Sequence, residues 1–381
     1  MIKKIGLMIA IMLLVGCSFF SKKPNEAKKT VLPKKNIEAR KLFEQSILLM
    51  ESENYAEAIK TINKLLKKHP SSNFELMSIY NLGGAYEAMG KCGTAVNRYR
   101  KIIKTSKGKF PRLEAQALLR MSYGHECLGR DDKVVATLLD ATKRSQYLSN
   151  ENRLAEVPAR LAAAYSRLGN RKLAQKYFIK AQNGLKKLNS EIRTSSRKKE
   201  ILSRTFFYMG EMKRQDIKKI GGEAYVRSVM DLQVFSLRSV ELDNKEWSSK
   251  AADQIILSYD NIWNHIQGKG PGKVKKKSIF HSENWGDLRE SLALKTLESL
   301  KYLKAQRFPD EKEPELVKKL FRILDEQEKR FVYFLAEQKS PTQKTPEALE
   351  RESIKMPGRT YKPNPVLELE SQKLIEKKVG Q

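Results

Sequence analysis

The sequence is poor in the residues that most often bind metals or form disulfides, with four histidines and three cysteines among 381 residues. No two histidines lie at the short spacing of a helical metal site such as H-x-x-x-H. The sequence therefore predicts no metal site and no cofactor, although a site built from distant ligands stays open. The histidines are His69, His125, His265 and His281.

Motifs of the common enzyme classes are also missing. The chain has no G-x-S-x-G nucleophile elbow, no H-E-x-x-H zinc motif and no paired-cysteine motif. Carboxylates are frequent along the expected helices, but charged residues on helix faces are usually just exposed to solvent and have no catalytic role. We therefore predict that the protein is not an enzyme. A helical cell-wall enzyme that depends on a carboxylate stays an alternative.

The N-terminal apolar stretch is too short to cross a bilayer, because residues 5–15 number eleven and a membrane span needs about 20. Two lysines precede it, which is the form of a secretory signal. It ends in the sequence LVGC at 14–17, which resembles the lipobox of bacterial lipoproteins. The resemblance implies a signal peptide over residues 1–16 and lipid attached to Cys17. An uncleaved signal anchor with an incidental cysteine is the alternative.

The residue after the lipobox cysteine bears on localisation. In lipoproteins of this kind an aspartate at that position implies retention in the inner membrane, and here it is Ser18. The resemblance therefore implies the outer membrane, with the chain on the periplasmic face. The periplasmic face of the inner membrane is the alternative.

Both ends of the mature chain have compositions that cannot form a core. Residues 17–35 contain six lysines, two prolines and few aliphatic side chains, and we predict a disordered basic tether there. Residues 339–381 contain five prolines and mixed charge, and we predict a disordered tail.

The charge of the chain is strongly positive, since 74 Lys and Arg face 44 Asp and Glu and the net charge is +30. In the periplasm the available polyanions are lipid headgroups, lipopolysaccharide, cell-wall polymers and acidic proteins. The charge therefore predicts an acidic partner or surface and not nucleic acid.

Four segments, 38–70, 76–106, 115–145 and 155–185, share one internal pattern of two apolar helix-like stretches separated by a short break. Small and large residues recur at fixed places, as expected where two helices approach closely. The matching sets are Ser46, Gly83, Ser122 and Ala162; Ala58, Ala95, Val134 and Ala174; Ile62, Tyr99, Leu138 and Phe178; Leu65, Ile102, Ala141 and Ala181; and, at the break, Glu53, Gly90, Gly129 and Gly169.

This pattern resembles the tetratricopeptide repeat. The resemblance implies an all-α solenoid of stacked antiparallel helix pairs, with four repeats over residues 36–188. The repeats are spaced by 37, 39 and 40 residues, where the standard repeat has about 34, so we expect longer turns between them. Residues 189–338 have helical apolar spacing as well and form a further helical region, in which degenerate repeats stay open.

Stacked helix pairs produce an extended concave surface that suits protein binding. We expect this surface to come mainly from the first helix of each pair. The candidate partner-binding residues are Arg40, Tyr80, Glu87, Gln116, Tyr123, Glu126, Glu156 and Arg167.

Two cysteines remain beside the lipobox. Cys92 falls at the start of the second helix of repeat two, and Cys127 at the end of the first helix of repeat three. Those two helix ends are expected at the same edge, which favours a Cys92–Cys127 disulfide in an oxidising compartment. Two unpaired buried thiols are the alternative.

These features together predict a lipid-anchored periplasmic scaffold that binds protein partners of a cell-envelope complex. Its architecture is similar to lipoproteins of envelope machines, including secretin pilotins, outer-membrane assembly factors and gliding-motility components. A lipoprotein that binds cell wall, anionic polysaccharide or lipid headgroups through its basic surface is the main alternative.

Overall fold

The computed structural model describes residues 34–106, 108–188, 195–268, 285–307 and 312–338. Within these ranges all regular secondary structure is helical, which confirms the predicted all-α fold. The predicted signal peptide, the lipidation site Cys17, the tether up to residue 33 and the tail from 339 lie outside the described residues.

The helices are named here in chain order. They are α1 Lys34–Glu51, α2 Tyr55–Lys68, α3 Glu75–Ala88, α4 Cys92–Ser106, α5 Pro111–Cys127, α6 Asp131–Thr142, α7 Val157–Arg167, α8 Arg171–Leu188, α9 Ser196–Lys213, α10 Ile217–Ile220, α11 Gly222–Glu241, α12 Trp247–Ile266, α13 Trp285–Ala305 and α14 Glu315–Gln338. A 3₁₀ turn, Ser145–Tyr147, and a π-helical turn, Asn152–Glu156, lie between α6 and α7.

The chain divides into two compact units between Thr105 and Ser106. The first unit contains predicted repeats one and two, formed by α1 to α4. The second unit contains repeats three and four, formed by α5 to α8, and the helices that follow. In the second unit α7 packs against α8 and α9, α9 against α11 and α12, and α11 against α13.

The repeat register predicted from small and large residues agrees with burial. Ala58, Ile62 and Leu65 of α2 are fully buried, and so are the corresponding residues of α4 and α6. In α8 the corresponding positions are at most 2% exposed. A Cβ atom added to Gly83 would lie 2.6 Å from the Tyr99 ring, so α3 and α4 approach closely there. Small residues are therefore needed at these positions because the facing helix occupies the space.

The break inside each repeat is the same backbone turn in all four. Glu53, Gly90, Gly129 and Gly169 have φ of 58°, 71°, 66° and 78°. In the third repeat the Gly129 N–H donates to the Glu126 carbonyl, and the next N–H donates to the His125 carbonyl. This is the Schellman motif that ends a helix, and it requires a left-handed residue at that position.

Between repeats three and four, the extra length lies where α6 is followed by the 3₁₀ and π-helical turns before α7 begins. Within residues 195–338, all regular secondary structure in the described ranges consists of helices, namely α9 to α14. The chain between Ser196 and Ile220 is not one continuous helix, because α9 ends at Lys213 and the short α10 begins at Ile217. Gly221, with φ of 80°, separates α10 from α11.

Candidate functional site

A buried arginine is the centre of a polar interior region in the second unit. Arg160 comes from α7, and the whole residue is 1% exposed. Its guanidinium donates to Ser122 Oγ at 2.7 Å and to Glu126 Oε2 at 3.1 Å, and it lies 3.8 Å from the centre of the Tyr123 ring. A buried cation is tolerated only where such partners replace water.

Glu126 of α5 joins three partners. It accepts hydrogen bonds from Arg160, from Arg167 at 2.9 Å and from the Tyr208 hydroxyl at 2.7 Å. Burial opposes ionisation of the Glu126 carboxyl, but the charges of Arg160 and Arg167 outweigh it and lower its pKa. Glu126 is therefore a carboxylate at neutral pH.

A second ion pair also lies beside the Tyr123 ring, with the Arg204 guanidinium 4.9 Å from the ring centre. Arg204 of α9 donates to Glu156 Oε2 at 3.1 Å, and Glu156 is fully buried in the π-helical turn before α7. The Tyr123 hydroxyl also donates to Glu156. Loss of hydration raises the pKa of the Tyr123 phenol, so this hydroxyl keeps its proton and remains a donor. Tyr123, Glu126, Glu156, Arg160, Arg167, Arg204 and Tyr208 are called the arginine cluster below.

The arginine cluster reaches the surface at Arg167, the last residue of α7, whose side chain is 30% exposed. Arg167 donates to Glu126 and to Asp131 Oδ1, and it lies 3.8 Å from Glu211 Oε2. Three carboxylates from α5, α6 and α9 therefore hold one guanidinium in place.

Arg167 also lines a groove of about 690 Å³, called the Arg167 groove below. The groove has four cationic side chains and two carboxylates, so it is positive overall. Burial lowers the pKa of His265, which leaves that imidazole neutral at pH 7. The lining residues are Arg167, Glu211, Arg214, Gln215, Asp216, Ile217, Lys218, Lys219, Tyr225, Asn261, Asn264 and His265.

The structure brings four of the eight candidate partner-binding residues together, because Tyr123, Glu126, Glu156 and Arg167 all belong to the arginine cluster. Glu156 has no exposed surface, so it acts on a partner only through its neighbours. The partner-binding role of all eight stays a prediction.

The other four candidates do not join this cluster. Arg40 forms an ion pair with Glu44 at 2.7 Å on the exposed face of α1. Tyr80 lies 5.8 Å from the Tyr99 ring, and the Tyr99 hydroxyl donates to Glu87 at 3.0 Å. Gln116 is half-buried on α5.

Sequence reasoning missed Arg160, Arg204 and Tyr208, which complete the arginine cluster. A signal for Arg160 was present, since it lies between residues that the repeat register buries. Arg204 and Tyr208 lie outside the four repeats, where no register was available. Lys218 and Lys219 of the groove were missed for the same reason.

Cys92 begins α4 and is buried, whereas Cys127 ends α5 and is exposed. Both helix boundaries agree with their predicted places, and the Cys92–Cys127 disulfide stays a prediction.

Among the residues described, no group of three or more His, Cys, Asp or Glu side chains is arranged to hold a metal ion. In the same part of the chain no helix combines the length and apolar character needed to cross a membrane.

Residues 42–72 match the family model of the tetratricopeptide repeat. No curated protein matches the chain. The chain is similar to the crystal structure of BtubC (BKLC) from P. vanneervenii, with 15% identity, 67% of this chain and 100% of that chain covered, and a TM-score of 0.34. It is also similar to a tetratricopeptide repeat protein from Parabacteroides merdae, with 13% identity, 75% and 98% coverage, and a TM-score of 0.34.

The family match and the four repeated helix pairs support a tetratricopeptide-repeat protein. Proteins of this fold are typically non-catalytic scaffolds that bind other proteins.

Proposed function

We propose that this protein is a lipid-anchored scaffold on the periplasmic face of the outer membrane, where it binds a protein partner of a cell-envelope complex. The Arg167 groove receives a segment of that partner. The observation that carries the proposal is the position of Arg167, which is held by ion pairs to Glu126, Asp131 and Glu211 and faces an open, positive groove.

The arginine cluster supports this role because it holds the Arg167 side chain in a fixed position, so that the groove is preorganised for binding. Arg167 has Glu126, Asp131 and Glu211 as partners, so little side-chain entropy is lost when it contacts a ligand. An Arg side chain is also a frequent contributor of binding energy in interfaces.

The chemistry of the groove favours an acidic segment of polypeptide. Lys218 and Lys219 are exposed and form no ion pair with any described carboxylate, which leaves their charge available for acidic side chains. Asn261 and Asn264 line the same groove and supply amide donors and acceptors for the backbone of an extended segment.

The lipid anchor in this proposal rests on the LVGC sequence at 14–17 alone. Incorporation of labelled palmitate by the wild-type chain, and its loss in Cys17→Ser, is the expected result. A wild-type chain that takes up no label and fractionates with soluble cytosolic proteins would overturn the anchor and the compartment.

Photo-crosslinking in intact cells tests partner binding. A photoreactive residue at Asn264 is expected to trap a discrete protein, and Lys218→Glu/Lys219→Glu in the same chain is expected to abolish trapping. The matched control places the photoreactive residue at Glu337, an exposed position on α14 that is not among the residues lining the groove. The same products from both positions would contradict the proposal, and trapping of cell-wall material at Asn264 would favour the wall-binding alternative.

A further inference from the structure

Helix α8 has an unusual charge, since its eighteen residues include six Lys and Arg and no Asp or Glu. Five of these cations and one isoleucine are exposed and lie on the same side of the helix. This set is called the lysine face and consists of Lys172, Lys176, Ile179, Lys180, Lys186 and Lys187.

Helical geometry places the lysine face in one continuous strip. At 3.6 residues per turn its six members fall within an arc of about 120°, and Lys172 and Lys187 are about 22 Å apart along the axis. Arg171 lies outside this arc, so the cations of the strip are all lysines. The strip therefore presents charge over a length that is large compared with a single ion pair.

The opposite side of α8 is firmly packed, which holds the lysine face outward. Ala174, Phe178 and Ala181 are at most 2% exposed. A Cβ atom added to Gly184 would lie 1.8 Å from the Leu154 carbonyl oxygen, so the α8 backbone lies directly against the π-helical turn.

The charge of the lysine face is not compensated by its described surroundings. None of the five lysines forms an ion pair with a carboxylate in the described part of the chain, whereas Lys198 and Lys213 of the next helix do. Lys180 lies 5.2 Å from the centre of the Tyr177 ring, which is a contact that leaves its charge in place. By contrast, α6 begins with Asp131 and Asp132 and also contains Asp140.

We propose that the lysine face docks the second unit on an anionic lipid surface. Charge complementarity is the first argument, because clustered lysines near a membrane surface are attracted by the negative potential of acidic headgroups. This docking surface is separate from the Arg167 groove, and the inference does not depend on what that groove binds or on lipid at Cys17.

The composition of the strip favours lipid over an acidic protein or polysaccharide. Lysine ammonium groups act as point charges with no directional fork, which suits a fluid layer of headgroups better than one fixed carboxylate. Ile179 lies among the lysines and is 45% exposed. An aliphatic side chain in that place gains from contact with the boundary between headgroups and acyl chains.

Vesicle partition of the full chain tests the proposal. All variants carry Cys17→Ser so that no acyl chain contributes, and they share the same N-terminal residues. Vesicles contain phosphatidylcholine with or without one quarter phosphatidylglycerol. Lys176→Gln/Lys180→Gln is compared with Lys318→Gln/Lys319→Gln, which removes the same charge from exposed positions on α14.

Each lysine near an acidic surface is expected to contribute roughly fivefold to the partition constant, so Lys176→Gln/Lys180→Gln should weaken binding to phosphatidylglycerol vesicles by about 25-fold. The α14 variant should change it by less than about threefold, and binding of the parent should fall steeply between low and physiological salt. Ile179→Ser should weaken vesicle binding and leave binding to soluble heparin unchanged.

Equal losses for the two double variants would overturn the proposal, since binding would then reflect net charge alone. An unaffected Ile179→Ser variant, together with equal binding to heparin and vesicles, would overturn the assignment to lipid and leave a general polyanion surface.

Discussion

At the scale of single residues, the arginine cluster is a balance between the cost of removing charges from water and the gain from pairing them. Arg160 and Glu156 have almost no contact with solvent, and each has at least two partners. Removing one member leaves its partner charged and buried, which is the costly case. The cluster therefore specifies how α5, α7 and α9 come together.

Replacing Arg160 tests this balance. Arg160→Met keeps most of the side-chain volume but leaves Glu126 with one less cation and Ser122 without its donor. We expect the free energy of unfolding in urea to fall by about 3–5 kcal/mol. Arg171→Met, at the exposed start of α8, is the control and should change it by less than about 0.5 kcal/mol. Equal losses of unfolding free energy in Arg160→Met and Arg171→Met would show that the buried ion pairs of Arg160 do not stabilise the fold.

The pH dependence of stability follows from Glu126. Its pKa is lower in the folded chain than the ordinary value of 4.5, so the folded state favours the carboxylate. That contribution is complete above about pH 4.5 and is lost as the pH falls through the folded pKa. Unfolding free energy measured from pH 7 to pH 3 should therefore decline in the acid range, and the decline should be shallower in Glu126→Gln. Glu337→Gln should follow the wild type, and a Glu126→Gln curve parallel to the wild type would refute this origin.

At the scale of the helices, close backbone approach and turn conformation decide where each element lies. Gly184 allows α8 to contact the π-helical turn, and the left-handed residues at the four repeat turns end the first helix of each pair. At Gly184 there is no space for a Cβ atom. At the turns a Cβ atom disfavours the backbone angle, so three of the four have glycine and only repeat one has Glu53.

The substitution Gly184→Ala tests the close packing of α8 against the π-helical turn. The new methyl group would overlap the Leu154 carbonyl oxygen, so either α8 or the turn must move. We expect a loss of about 3 kcal/mol in unfolding free energy. Gly93→Ala is the matched control, since no heavy atom lies within 4 Å of the added Cβ atom, and it should change the unfolding free energy by less than about 0.5 kcal/mol. A Gly184→Ala chain as stable as the Gly93→Ala chain would contradict the packing of α8.

Backbone angle is tested at the turn of repeat one, where Glu53 has φ of 58° and the other three repeats have glycine. Glu53→Gly relieves the left-handed strain of an L-residue, and we expect a gain of about 0.5 kcal/mol after the extra flexibility of the unfolded chain is subtracted. Gly129→Ala should lose about 1 kcal/mol. Thermal denaturation followed by circular dichroism measures both, and a stabilising Gly129→Ala would be inconsistent with the shared turn.

At the scale of the whole molecule, the repeats could be predicted from sequence because helix pairing within a repeat is local. Ala58, Ile62 and Leu65 lie on one helix face at spacings that sequence displays directly. The arginine cluster could not be predicted in the same way. Tyr208 donates a hydrogen bond to Glu126, which lies 82 residues earlier in the sequence. Arg204 donates to Glu156, which lies 48 residues earlier. Four of its members were predicted as partner-binding residues, whereas Arg204 and Tyr208 come from a region with no recognisable register.

The central claim is that the Arg167 groove binds a partner protein, and the most direct measurement is the dissociation constant of the protein trapped at Asn264. We compare the wild-type chain with Lys218→Glu/Lys219→Glu and with Lys318→Glu/Lys319→Glu, which makes the same charge change on α14. Our account predicts that the groove variant binds at least about tenfold more weakly, while the α14 variant binds like the wild type. Equal affinity of all three chains for that partner would contradict it.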